Sequence, residues 1–316
     1  MLLVAAGFYI GFRAAQPPPP PDFSALREGA PDSAPGTGSS RGAGEGPASI
    51  AGGDEGAGRS TAADPGPDAA SAPEPVAPGS SSESVVVTRQ PPPRPSARPR
   101  VALVIDDLGR SLQDVETLGS LGIPVTYAVL PFEAKTREVV ARLRERGEEI
   151  LCHLPMEAAG RANPGPGALR LSMSDGELRR ATLEALGEVP GAIGVNNHMG
   201  SAVVADSRAM AAVLGLLKDQ GLAFLDSRTT AETLGYSMAR HMGVRAAERQ
   251  VFLDTHRDRA FIAGQFQALL DAAEKRGGAI GIAHPYDETL EILVAEVPKA
   301  RAAGFEFIPA SSLFDP

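Results

Sequence analysis

Five segments of the sequence end in side chains that can bind a metal or move a proton. Asp106 and Asp107 follow the run VALVI (101–105), and His153 stands in EILCHL (149–154). Asn196, Asn197 and His198 close AIGVNNH (192–198), Asp226 and Ser227 close LAFLDS (222–227), and His284 closes AIGIAH (279–284). One carboxylate and two imidazoles from separate segments make a divalent metal site; this donor set suits zinc, and cobalt or nickel also fit. A metal that keeps one position for water lowers the pKa of that water and polarises a carbonyl. A further carboxylate can accept the water proton, and a further histidine can protonate a leaving amine. The parts suffice for metal-assisted hydrolysis of an amide or ester.

Strand alternation limits the set. Adjacent aspartates point to opposite faces, so alternation alone requires at most one of Asp106 and Asp107 to face the site. The same alternation turns Cys152 away from His153 and makes it a buried, inert thiol. Asp226 can either support the site or cap a turn. His241 reads as structural, and His256, followed by Arg257, Asp258 and Arg259, as part of a solvated loop.

The elements that must carry these residues are regular. Short apolar runs at 101–105, 125–130, 149–154, 192–198, 222–227, 250–255, 279–284 and 305–310 read as buried strands. Helical periodicity lies between them at 136–147, 174–191, 207–221, 261–278 and 290–304. Strand and helix alternate with short links, which predicts a parallel α/β fold. The first strand is followed by Asp106-Asp107-Leu108-Gly109 rather than a glycine-rich phosphate loop. Polar residues sit at the C-terminal ends of at least five strands. In a barrel those ends converge on one mouth, so a barrel or distorted barrel is expected.

The first 100 residues are different. Of the 28 prolines in the 316-residue chain, 18 fall there, but only four of the 15 aromatics. Residues 1–15 contain the apolar run LLVAAGFYIGF, read as the end of a signal core or membrane anchor that starts upstream. Residues 16–100 read as a disordered Pro/Gly/Ser-rich linker that cannot bury enough apolar surface to fold. Residues 101–316 hold the material for one domain. The net charge of −9 and pI of about 5.2 argue against a nucleic-acid partner. A single cysteine excludes an intramolecular disulfide framework and a cysteine-based zinc cluster. No apolar run reaches the roughly 18 residues of a full membrane span. No protein partner is indicated.

The segments VIDDLG (104–109), HLPME (153–157), NNHMGS (196–201), LDSRTT (225–230) and GIAHP (281–285), in this order, resemble the divergent polysaccharide deacetylases. That family is a branch of the NodB-like, carbohydrate esterase 4-related enzymes. The resemblance implies an irregular (β/α)7 barrel and metal-dependent removal of acetyl from an N-acetylated sugar. It implies Asp106 as general base, Asp107 and His153 as metal ligands and His284 as general acid. The family pattern places a second histidine or serine where this chain has Glu157, and no R-x-P-x-G segment follows. His198 is therefore expected to complete the metal site. Asn197, Ser201, Asp226 and Arg228 are assigned to substrate binding or to support behind the ligands. The chain has no tryptophan, so Tyr127, Phe132 and Tyr286 are the aromatics expected to meet a sugar. The implied setting is the periplasm or cell envelope, with a glycan substrate, zinc and a membrane tether through the N-terminus. The alternative is a non-catalytic glycan-binding or scaffold protein that keeps the barrel.

Overall fold

The computed structural model describes residues 98–315; the expectations for residues 1–97 lie outside the described residues. Nine strands form one sheet whose ladders are all parallel. In chain order the strands are β1 (Arg100–Leu108), β2 (Thr126–Val129), β3 (Glu149–Met156), β4 (Gly194–Met199), β5 (Ala223–Asp226), β6 (Ala246–Glu248), β7 (Val251–Phe252), β8 (Gly278–Ala283) and β9 (Glu306–Phe307). The helices are α1 (Leu112–Gly119), α2 (Thr136–Arg146), α3 (Asp175–Glu188), α4 (Ser207–Asp219), α5 (Gly235–Met242), α6 (Arg259–Arg276) and α7 (Asp287–Ala302). The path across the sheet is β6-β5-β4-β3-β2-β1-β8-β7, and β9 pairs with the start of β1.

The sheet curls into an irregular barrel, joined through a broken strand. β6 pairs with β5 and β7 pairs with β8, yet only Arg249 and Gln250 separate β6 from β7. Arg249 N–H donates to Asp226 O on the β5 side, at 3.0 Å. Gln250 N–H donates to Ile280 O on the β8 side, at 2.9 Å. One stretch of chain thus passes from one edge of the curled sheet to the other.

Side-chain alternation divides the apolar residues into two cores. Val101, Leu103 and Ile105 of β1 join the larger core shared with the helices. Ala102 and Val104 face inward with Ala128, Leu151, Ala223, Leu225, Ile280 and Ile282. Ala310 and Phe314, after β9, pack on the same inner core. Each strand continues upward from this layer with the same two-residue step. The steps lead to Asp106 above Val104, His153 above Leu151, Ser227 above Leu225 and His284 above Ile282. Neighbouring β4 pairs Asn196 with His153. A polar layer therefore stands directly on the apolar one.

Helix ends are set locally. Ser174 accepts from Glu177 N–H, and the Glu177 carboxylate accepts from Ser174 N–H, a reciprocal cap that starts α3. Asp206 and Asp258 cap α4 and α6 in the same manner with single bonds. The expected strand over 305–310 is only two residues long. Pro309 follows it and a 3-10 turn (Ala310–Leu313) takes over.

Candidate metal centre

Asp107, His153 and His198 bring one ligand atom each to within 4.8 Å of one another. His198 Nδ1 lies 2.9 Å from Asp107 Oδ1 and 3.1 Å from His153 Nε2, and His153 Nε2 lies 3.3 Å from Asp107 Oδ1. Asp107 Oδ1 is buried, but neither imidazole is aligned to donate to it, so it has no hydrogen-bond partner. Three potential ligand atoms gathered this closely, one of them a buried carboxylate oxygen without a hydrogen-bond partner, suit a cation. A tetrahedral ion with roughly 2.0–2.1 Å ligand bonds spaces its ligands about 3.3 Å apart, close to the observed separations.

Both aspartates face the site, although alternation alone requires only one of them to do so. Asp106 reaches it by alternation, whereas Asp107 reaches it by a backbone distortion. Its φ is +60°, in the left-handed region that non-glycine residues rarely occupy. The ladder to β2 shifts register between Ile105 and Leu108 at the same place. The irregularity turns the second carboxylate onto the face already held by the first.

Asn196 fixes the site from below. It is fully buried, and its Nδ2 donates to Asp106 Oδ1 at 2.8 Å and to Ser227 Oγ at 3.3 Å. With Asp106 ionised it only accepts, so Asn196 turns its Nδ2 to Asp106 and its Oδ1 accepts from His153 Nδ1 at 3.0 Å. The proton is then on Nδ1, and Nε2 keeps a lone pair for a metal. Across the site, His284 Nδ1 donates to Asp254 Oδ1 at 3.0 Å. Asp254 Oδ2 accepts from His284 N–H at 2.7 Å and from Thr289 Oγ1 at 2.8 Å. His284 Nε2 stands 3.9 Å from Asp107 Oδ2.

The charges are strongly coupled. Burial pushes the Asp106 carboxyl above the usual carboxylate range, against the pull of His153, His284 and the Asn196 bond. Burial acts the same way on Asp107, but His153 and His198 outweigh it and hold Asp107 well below that range. Burial opposes protonation of His153 and His284. Asp106 and Asp107 nevertheless raise His153, and Asp254, Asp106 and Asp107 raise His284.

The remaining expected residues brace the strand ends. Asn197 Nδ2 donates to Met199 O and Thr229 Oγ1, and its Oδ1 accepts from Ser227 N–H. Asp226 accepts from Arg228 N–H, Tyr236 N–H and Thr233 Oγ1. Ser201 Oγ accepts from Ala159 N–H at 2.9 Å. Arg228, with φ of +50°, pairs its guanidinium with Glu248. Glu157 is not among the three clustered ligands; its Oε2 accepts from Leu171 N–H at 2.8 Å. Tyr127 is buried at 1% exposure and cannot meet a sugar. Asp254 was not singled out from the sequence, and Asn196 was noted at its strand end without a role. Their signal was the two-residue step, which carries Asn196 to His153 and Asp254, two beyond Phe252 on β7, to His284.

Fold and site together define an α/β barrel whose mouth gathers Asp107, His153 and His198, a candidate metal site. The model of the divergent polysaccharide deacetylase family matches residues 103–314, and the chain belongs to that family. An uncharacterized protein of Haemophilus influenzae is 34% identical over 199 residues, 63% of this chain and 71% of that one. The uncharacterized protein YibQ of Escherichia coli is 34% identical over 194 residues, 61% of each chain. The crystal structure of the uncharacterized protein ATU2773 from Agrobacterium tumefaciens superposes with a TM-score of 0.63 at 25% identity. That match covers 70% of this chain and 92% of the other.

Proposed function

We propose that the chain is a metal-dependent hydrolase that removes acetyl from an N-acetylated sugar of a cell-envelope glycan, with zinc as the metal. The observation that carries this reading is the unpartnered, buried Asp107 Oδ1 facing His153 Nε2 and His198 Nδ1. When bound, the ion supplies a Lewis acid and an acidified water. Asp107, His153 and His198 hold it. Asp106 accepts the water proton; Asn196 secures its Oδ1, and Oδ2 lies 3.6 Å from His153 Nε2, beside the ligand cluster. Burial pushes the Asp106 carboxyl above the usual carboxylate range, which makes it a stronger base. His284 delivers a proton from Nε2 to the departing sugar nitrogen while Asp254 steadies Nδ1. Water adds to the amide carbon, the C–N bond breaks, and acetate and a free amine leave.

The envelope setting and the N-terminal tether follow from the proposed substrate and the character of residues 1–100. The test is acetate release by the zinc-loaded chain from N-acetylated glycan fragments. Asp106→Ala and His284→Ala are each expected to lower the rate by about 10²–10⁴-fold. A zinc-loaded wild type that releases no acetate from any such glycan would leave the glycan-binding alternative, which Glu157 at the family's histidine position favours.

A further inference from the structure

We propose that Phe132 is a stacking platform for the sugar beside the one that reacts, so that the site takes a glycan chain rather than a single sugar. The proposal rests on the reading of the site given above. Phe132 is 38% exposed, and Val294 is the only other large hydrophobic side chain so exposed among the described residues. It follows β2 at the mouth, between the strand ends that carry Asp106 and His153. Its φ is +62°, a conformation that strains a bulky L-residue. Glycine or asparagine would occupy that turn with less strain. An exposed aromatic ring in a strained backbone is the kind of local cost that gathers at binding sites.

The surroundings hold this ring in place. Lys135 N–H donates to Gly109 O at 2.8 Å, and Arg110 pairs with Glu133 at 2.9 Å. These bonds tie the Phe132 loop to the segment that leaves Asp106 and Asp107. Thr136 Oγ1 donates to Leu130 O at 2.7 Å and accepts from Glu133 N–H at 2.9 Å. Gly167 lies against the ring: a Cβ there would stand 2.4 Å from Phe132 Cε2. The loop that bears Gly167 is fastened to the end of β3 through Glu157. Leu171 N–H donates to the Glu157 carboxylate, and Glu157 N–H donates to Leu169 O, both at 2.8 Å. Glu157, at the position of a family metal ligand, thus steadies the support of the ring.

The chemistry fits the C–H face of a pyranose, which packs on an open aromatic ring. The other candidate aromatics are engaged. Tyr286 stacks on His284 with ring centroids 5.1 Å apart and carries Arg257 over its ring, and Tyr127 is buried. Phe132 lies on the loop after β2, whereas the ligands come from β1, β3 and β4. Phe132 brings no atom to the ligand cluster, which leaves its ring free for a neighbouring sugar rather than the one whose amide is cut.

The experiment is isothermal titration calorimetry of the full chain with N-acetylglucosamine and its oligomers of two to six units. Wild type is expected to bind the longer oligomers up to about tenfold more tightly than the monomer. Phe132→Ala is expected to lose that gain with monomer binding unchanged, and Phe132→Tyr to keep it. Phe132→Asn should lose the gain while its Tm holds or rises, because the left-handed strain is relieved. Gly167→Ala should weaken oligomer binding by displacing the ring. Unchanged oligomer affinity in Phe132→Ala, or no binding of any oligomer by wild type, overturns the proposal. Acetate release separates it from the catalytic reading. Chain binding that needs Phe132 without acetate release removes hydrolysis alone; acetate release independent of Phe132 removes the platform alone.

Discussion

The Asn196 carboxamide touches both a proposed metal ligand, His153, and the proposed base, Asp106, with its two polar atoms. Asn196→Ala leaves His153 Nδ1 without its acceptor and frees Asp106 to rotate. Outer partners of metal ligands typically contribute 10–100-fold in affinity, so zinc should bind about 10–100-fold more weakly in this variant. Competition with a chromogenic chelator reads the change, and wild-type affinity would contradict the role. Asp254→Asn tests the other side. His284 must be protonated to act, and Asp254 contributes to raising its pKa. Removing that charge lowers the pKa, so the alkaline limb of the rate profile should move to lower pH with zinc content unchanged. An unmoved limb would count against His284 as the acid. At this scale the sequence showed the residues that obey alternation, Asp106, His153 and His284. Alternation alone did not reach Asp107, which the family resemblance supplied, because nothing in the letters announces a φ of +60° at a non-glycine residue. Asp254 was hidden because its partner lies 30 residues further on.

The long elements were legible for a simple reason: α2, α3, α4 and α6 repeat an apolar stripe over 11 or more residues. The eight-residue helices α1 and α5 offer too few turns for periodicity to stand out, and β6 has three residues. The helix read over 290–304 begins earlier, at Asp287, and runs through Pro298. Strand β4 depends on close approach. A Cβ on Gly194 would stand 2.4 Å from Ala223 O on β5, against rigid backbone. Gly194→Ala should therefore lower stability by about 1–3 kcal/mol, as overpacking does. It should also weaken zinc binding, because β4 carries Asn196 and His198. Thermal unfolding and metal titration check both, and full retention of each would contradict the packing account. Glu157→Ala predicts the opposite division. It loosens the 165–171 loop and lowers Tm, yet zinc content stays at one per chain. Loss of zinc in that variant would return Glu157 to the ligand set.

Metal, pH and stability are linked across the whole molecule. His153 has a raised pKa in the metal-free fold, and burial alone would have lowered it. Its contribution to stability is present below its unfolded value, roughly pH 6.5, and is lost as pH rises through the folded value. A bound metal requires the neutral ring, so stabilisation by zinc has the reverse dependence and grows as pH rises. At 100 times Kd that stabilisation is about 2.7 kcal/mol. Unfolding curves with and without zinc should nearly coincide at about pH 5 and separate by roughly 5–10 °C at about pH 8. A gap that widens towards acid would contradict the linkage. The most direct measurement is the metal content of the full chain, wild type beside His198→Ala, by inductively coupled plasma mass spectrometry after zinc loading and desalting. The predicted result is about one zinc per wild-type chain, lost from a His198→Ala protein that still unfolds cooperatively. A well-folded wild type that retains no zinc, cobalt or nickel, or a variant that retains as much as wild type, would contradict the metal centre of Asp107, His153 and His198.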